Sequence, residues 1–144
     1  MLLAAPLVAS SQPQCSGPPT CVDRRPPLAE RSFTSVAIDS SIARLSANMT
    51  GKPELACLFR NTLPNTLDTT VRPGSRIVTQ YRGHSLVDDD HTLVITGDID
   101  AMWLRDSTNQ VLPYLEFAAS DELLRGMLAG VLRQQTLFVN TVMP

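Results

Sequence analysis

The chain has 144 residues, 43% of them hydrophobic and 18% charged, with a net charge of −2, a balance that allows one modest core under an ordinary polar surface. Its 12 basic residues are scattered rather than clustered, which excludes the basic stripe of a nucleic-acid binder and the polybasic patch of a membrane-surface protein. No nucleic acid is expected as a partner, and no membrane span is expected in the mature chain.

Residues 1–11 read as a signal-peptide candidate. The run from Met1 to Ala9 is apolar but far too short to span a bilayer, and Ala9-Ser10-Ser11 offers a small-x-small cleavage site. No Lys or Arg precedes that run, so the alternative is an Ala-rich N-terminus without a targeting role. Residues 12–31 form a Pro-rich stretch with Pro-Pro at 18–19 and 26–27, read as a linker or disordered tail with no packed structure expected from Gln12 to Glu30. Cys15 and Cys21 could close a short disulfide loop, leaving Cys57 odd; the alternative is three free thiols. A secreted or secretory-pathway protein is expected, in which case Asn48-Met-Thr50 is a glycosylation sequon.

From Ser32 to Asn48 the period becomes helical, with Ile38, Ile42, Leu45 and Met49 on one face and Thr34 or Ser35 as cap. Gly51 ends this helix, and Pro53 opens a second with Leu55, Leu58, Phe59 and Thr62 on one face. The two make a helical hairpin. Asn65 to Thr70 is a polar stretch that reads as a loop, and residues 72–90 read as an irregular excursion. His84, His91 and the Asp88–Asp90 run are read there as solvated charge. Thr92-Leu-Val-Ile-Thr96 is a strand candidate ended by Gly97. Ser107 to Phe117 is helix-like, with Val111, Leu112, Leu115 and Phe117 turned inward and a kink at Pro113. Ser120 then caps a last helix with a wide apolar stripe through Leu123, Leu124, Met127, Leu128, Val131, Leu132, Gln135 and Phe138; Gly126 and Gly130 would let another helix approach. Such a helix wants neighbours on two sides, so four helices and one strand are expected to be the truncated first part of a larger helical domain.

Chemistry is densest in Ile95-Thr-Gly-Asp-Ile-Asp-Ala-Met-Trp-Leu-Arg-Asp106. Carboxylates can hold vicinal hydroxyls, an arginine can lock a carboxylate, and a tryptophan offers a flat apolar face, so these are parts of a sugar-binding cleft. Two metal readings compete. Asp98-Ile-Asp100 matches the Asp-x-Asp that holds a divalent cation against a nucleotide sugar, but three residues are unspecific; a calcium loop lacks its ordered ligands. The structural alternative makes Arg105 and Asp106 a buried or capping ion pair, with Trp103 in the core. Three carboxylates so close in an apolar context favour a ligand.

The stretch from Thr96 to Leu115, preceded by Pro64-Asn-Thr-Leu-Asp-Thr-Thr70, resembles the N-terminal signature of glycoside hydrolase family 125, and the resemblance runs from about Ser32 to the end of the chain. It implies an all-α fold, residues 32–144 forming the N-terminal portion of an (α/α)6 toroid with one short strand or extended segment before the motif. It also implies an inverting, metal-independent exo-α-1,6-mannosidase without cofactor, acting on an α-mannoside glycan. Inversion needs an acid and a base roughly 6.5–9.5 Å apart. In that family both are glutamates from later in the chain, so no catalytic residue is expected before Pro144 and the segment alone is expected to be inactive. The resemblance assigns Asp98, Trp103, Arg105 and Asp106 to the sugar-binding wall, with Asp68 and Asn65 behind it or at its rim. A non-catalytic carbohydrate-binding or pseudoenzyme fragment is the alternative.

Overall fold

The computed structural model describes residues 21–74, 80–81, 84–85 and 90–141; the signal candidate, Cys15 and most of 75–89 lie outside these. The described chain is mostly helical, as a piece of an all-α toroid should be. It runs through α1 (Val36–Asn48), α2 (Pro53–Thr62), α3 (Asn65–Thr69), β1 (Val71–Pro73), β2 (Gln80–Tyr81), β3 (His84–Ser85), β4 (Thr92–Val94), α4 (Leu104–Val111) and α5 (Glu122–Thr141), with 3-10 turns at Leu28–Glu30 and Leu112–Phe117.

The first hairpin forms for local reasons. Ser35 accepts the Ile38 amide at 3.2 Å and starts α1, while Gly51 takes the positive φ of 76° that lets the chain turn back. Pro53 then occupies the first turn of α2, where its missing N–H costs nothing. The faces of α2 differ from expectation, because Leu55 and Leu58 are exposed and Ala56 is the buried contact.

Residues 65–69 form a helix, α3, where a loop was expected. Tertiary bonds override the weak propensity of Asn, Thr and Asp: Leu67 and Asp68 are buried, and their carbonyls accept the amides of Phe33 and Ser32, each at 2.9 Å. The following β1 pairs antiparallel with β4 in the register Val71↔Val94, Arg72↔Leu93, Pro73↔Thr92. The strand expected at 92–96 is therefore shorter and has an unforeseen partner, and β2 pairs with β3 as a separate hairpin.

Residues 21–31 stay at the surface but are tied down by specific bonds, contrary to the expectation of a free tail. Cys21 is bonded to Cys57 on α2 with Cα atoms 5.4 Å apart, which is neither the Cys15–Cys21 loop nor the three free thiols that the sequence left open. The Arg24 amide donates to Asn61 Oδ1 at 2.7 Å, and Asn61 Nδ2 returns a bond to the Val22 carbonyl at 3.1 Å. Arg25 then crosses to Asp68 and Asp39. A short-range reading of Pro-Pro composition misses such an anchorage, since every partner is distant in sequence.

The core joins Ile38, Leu67, Val71, Val94, Val111, Tyr114 and the buried face of α5. α5 lies across β4, and this explains Gly130: a Cβ there would come within 2.5 Å of Thr92 Oγ1 and 2.9 Å of the Asp90 carbonyl oxygen. The close approach expected of a helix is made by a strand. Pro113 does interrupt its helix, and the chain tightens into three residues per turn from Leu112 to Phe117. That rotation leaves Leu112 and Leu115 exposed, contrary to expectation, and buries Tyr114, whose hydroxyl donates to the Leu63 carbonyl at 2.6 Å.

Asp121, rather than Ser120, caps α5. Its Oδ1 accepts the Leu124 amide at 3.0 Å, and its Oδ2 accepts the Ser35 hydroxyl at 2.6 Å. One carboxylate thus joins the N-termini of α1 and α5, and the Ser35 bond, ahead of the backbone amides, holds it below the usual carboxylate range. A depressed folded value means stability present above the unfolded pKa of about 3.9 and lost as pH falls through the folded value. Asp121→Ala should cost about 1–2 kcal/mol at pH 7, and this difference should shrink as unfolding is measured at progressively lower pH below about 4. A difference independent of pH would mean that the carboxylate charge is not what holds the two helices.

Candidate sugar-binding site

The motif is a loop suspended between β4 and α4. At its entry, buried Ile95 donates its amide to the Thr70 carbonyl at 3.1 Å, and Thr96 closes the loop by donating its amide to Ala101 at 3.0 Å. Gly97 between them has φ of 108°, a conformation that L side chains rarely adopt. Within the loop the Thr96 hydroxyl donates to Asp98 Oδ1 at 2.7 Å, and the same oxygen accepts the Ile99 amide at 3.0 Å. The Thr96 hydroxyl, first among these bonds, holds the Asp98 carboxyl below its ordinary range. Asp98 is therefore an ionised acceptor, the opposite of what a general acid requires.

At the exit, Trp103 leads into α4 without a side-chain cap bond. It is 59% exposed, so it is not a core residue. The Arg105 and Asp106 side chains are 86% and 42% exposed and stand 3.8 Å apart, so their pairing is neither buried nor a tight fork. Asp106 lies in the first turn of α4, where the helix dipole favours its charge. The fold itself makes little use of these three side chains. By contrast, the backbone that carries them is fixed: Gln135 on α5 directs Nε2 at Ser107 Oγ and Thr108 Oγ1, both at 2.9 Å, and at the Leu104 carbonyl at 3.3 Å.

Residues 52–143 match the family described as metal-independent alpha-mannosidase. The chain belongs to glycoside hydrolase family 125. It is also 40% identical over 123 residues to the meiotically up-regulated gene 157 protein of Schizosaccharomyces pombe, a match covering 83% of this chain and 22% of that relative. This family 125 chain thus spans about a fifth of the length of the curated relative it matches.

Within the family 125 chain the other site residues lie apart from the loop. Asn65 is exposed at the start of α3. Asp68 is not on an open rim: its side chain is 1% exposed, and Arg25 engages both oxygens, Nε to Oδ2 at 2.7 Å and Nη2 to Oδ1 at 3.0 Å. Asp68 connects to the loop through α3, whose C-cap residue Thr70 receives the Ile95 amide. Asp98 and Asp100 are both exposed, and among the described residues no group of three His, Cys, Asp or Glu side chains converges as a metal cage would. Glu30, Glu54, Glu116 and Glu122 are all exposed. His91, read as solvated, places Nδ1 3.1 Å from Oε1 of the buried Gln134. Sequence reasoning missed two supports of the loop. Thr96 was marked by the local Thr-x-Asp spacing, whereas Gln135 has no local signal, because its partners are 27 to 31 residues away.

Proposed function

We propose that this chain supplies the mannose-holding wall of an inverting, metal-independent exo-α-1,6-mannosidase, and that the general acid and base belong to other parts of a longer protein. The observation that carries this reading is the pairing of a fixed backbone with side chains that the described residues engage little: exposed Trp103 and Arg105 and half-exposed Asp106 on an α4 start held by Gln135. Trp103 offers a face to the apolar side of a pyranose ring, and Asp98 and Asp106 offer acceptors to its hydroxyls. An oxocarbenium-like transition state is then reached only where an acid protonates the leaving oxygen and a base activates water on the opposite face. Asp98, an exposed carboxylate held below its ordinary range, is unsuited to the acid role and offers an ionised acceptor to a sugar hydroxyl. Exposed Leu112, Leu115 and Leu132 border an apolar cleft of about 100 Å³ beside α5, which supports a place within a larger helical domain.

We place the protein in the secretory pathway, a reading supported by the Cys21–Cys57 disulfide and by the signal-like N-terminus. The test of the function is hydrolysis of an α-1,6-linked mannobiose. A longer protein carrying this segment should release β-mannose at the same rate with and without chelator, and the 144-residue chain should release none. Loss of activity in chelator would point to a metal at Asp98 and Asp100, and a longer protein that binds mannose without cleaving it would make this a carbohydrate-binding module.

A further inference from the structure

We propose that Asn48 is an N-glycosylation site. Asn48-Met-Thr50 is the single Asn-x-Ser/Thr triplet in the sequence, and the fold presents it at a helix end rather than within one. α1 stops at Asn48; Met49 leaves the helical region with ψ of 46°. The next residues turn back, with the Lys52 amide donating to the Met49 carbonyl at 3.1 Å and Gly51 at positive φ. Asn48 and Thr50 are both exposed, while Met49 is half-buried. The buried residues of α1 are Ile38, Ser41 and Ile42, all N-terminal to its last turn. The turn that must open to enter a transferase therefore carries none of the fully buried contacts of the helix, and terminal turns are where helices fray most readily.

The second observation is independent of the triplet. The Cys21–Cys57 bond joins residues on either side of Asn48, and a structural disulfide of this kind forms in the oxidising compartment where asparagine-linked oligosaccharides are added. The proposal rests on the secretory reading above. Chemically, Asn48 Nδ2 forms a bond to the anomeric carbon of a lipid-diphosphate-linked oligosaccharide. The bond from that carbon to the diphosphate oxygen breaks, the lipid diphosphate leaves, and the amide proton passes to a base of the transferase. The attached glycan stands on the α1–α2 turn, an element separate from the β4–α4 loop that carries Trp103 and Asp106.

The test is expression of the full chain with its own N-terminus in a eukaryotic secretory host, with gel mobility compared before and after treatment with a peptide N-glycosidase. One downward step is expected, absent from Asn48→Gln and Thr50→Ala and retained in Thr50→Ser. Non-reducing gels and protease protection of the same samples separate the two readings. A lumenal chain with its disulfide formed but no mobility step overturns the glycosylation and leaves the compartment standing. A chain left outside the lumen with reduced thiols overturns both. A step that persists in Asn48→Gln also overturns the assignment.

Discussion

Replacing Arg25 with Ala should lower the free energy of unfolding by about 3–5 kcal/mol, the cost of leaving a buried carboxylate without its counter-ion. Asp68 is the reason. Its side chain is 1% exposed and is gripped by two nitrogens of one guanidinium, with Arg31 more distant at 3.8 Å. Arg25→Lys should recover only part of the loss, since an ammonium cannot reproduce the planar fork. Replacing both partners, as Arg25→Met with Asp68→Leu, should be milder than Arg25→Ala, because no uncompensated charge is left behind. The check is the denaturant midpoint at unchanged slope. A loss below about 1 kcal/mol for Arg25→Ala would mean that Asp68 reaches water without unfolding, and that residues 21–31 are not part of the folded unit.

The consequence of that anchorage reaches the site. Arg25 holds Asp68, Asp68 lies on α3, and the C-cap residue of α3 receives the amide of Ile95, where the candidate loop begins. Residues that the chain carries far ahead of the motif thus support its frame.

Elements governed by neighbours in sequence were legible without coordinates. Ser35, Gly51, Pro53 and Gly97 mark boundaries through capping and backbone conformation, and the apolar stripe of α5 identifies that helix. What depended on distant partners was not. α3 exists because Leu67 and Asp68 are held from afar, and β1 is three residues ending in Pro73, too short for any period to register. The cysteine pairing stayed open because proximity in sequence suggested Cys15, whereas the fold brings Cys57 to Cys21 across 36 positions. Asp121 displaced Ser120 as cap because it serves two helices at once. The inward face of residues 112–117 rotated because Pro113 changes the number of residues per turn. The candidate motif itself was legible as chemistry, since its residue types are dense and ordered, but the exposure of its side chains was not.

That exposure turns the family resemblance into a statement about Asp106. As a surface carboxylate in the first turn of α4, it would contribute only a few tenths of a kcal/mol to 1 kcal/mol through the helix dipole. As a sugar ligand, it would supply charge-assisted hydrogen bonds each worth about 1.5–3 kcal/mol in the enzyme–substrate complex and transition state. The two roles differ in what they move. Loss of the first lowers stability slightly and leaves catalysis intact, whereas loss of the second lowers kcat/KM with little change in unfolding.

The deciding measurement is kcat/KM of Asp106→Ala against an α-1,6-linked mannobiose in a longer protein that carries this segment, with the unfolding midpoint taken on the same sample. A fall of roughly 10- to 150-fold at nearly unchanged stability is the result expected of a mannose-holding wall. Wild-type kcat/KM together with a small loss of stability would reduce Asp106 to a helix-end charge and contradict the assignment of the β4–α4 loop to substrate.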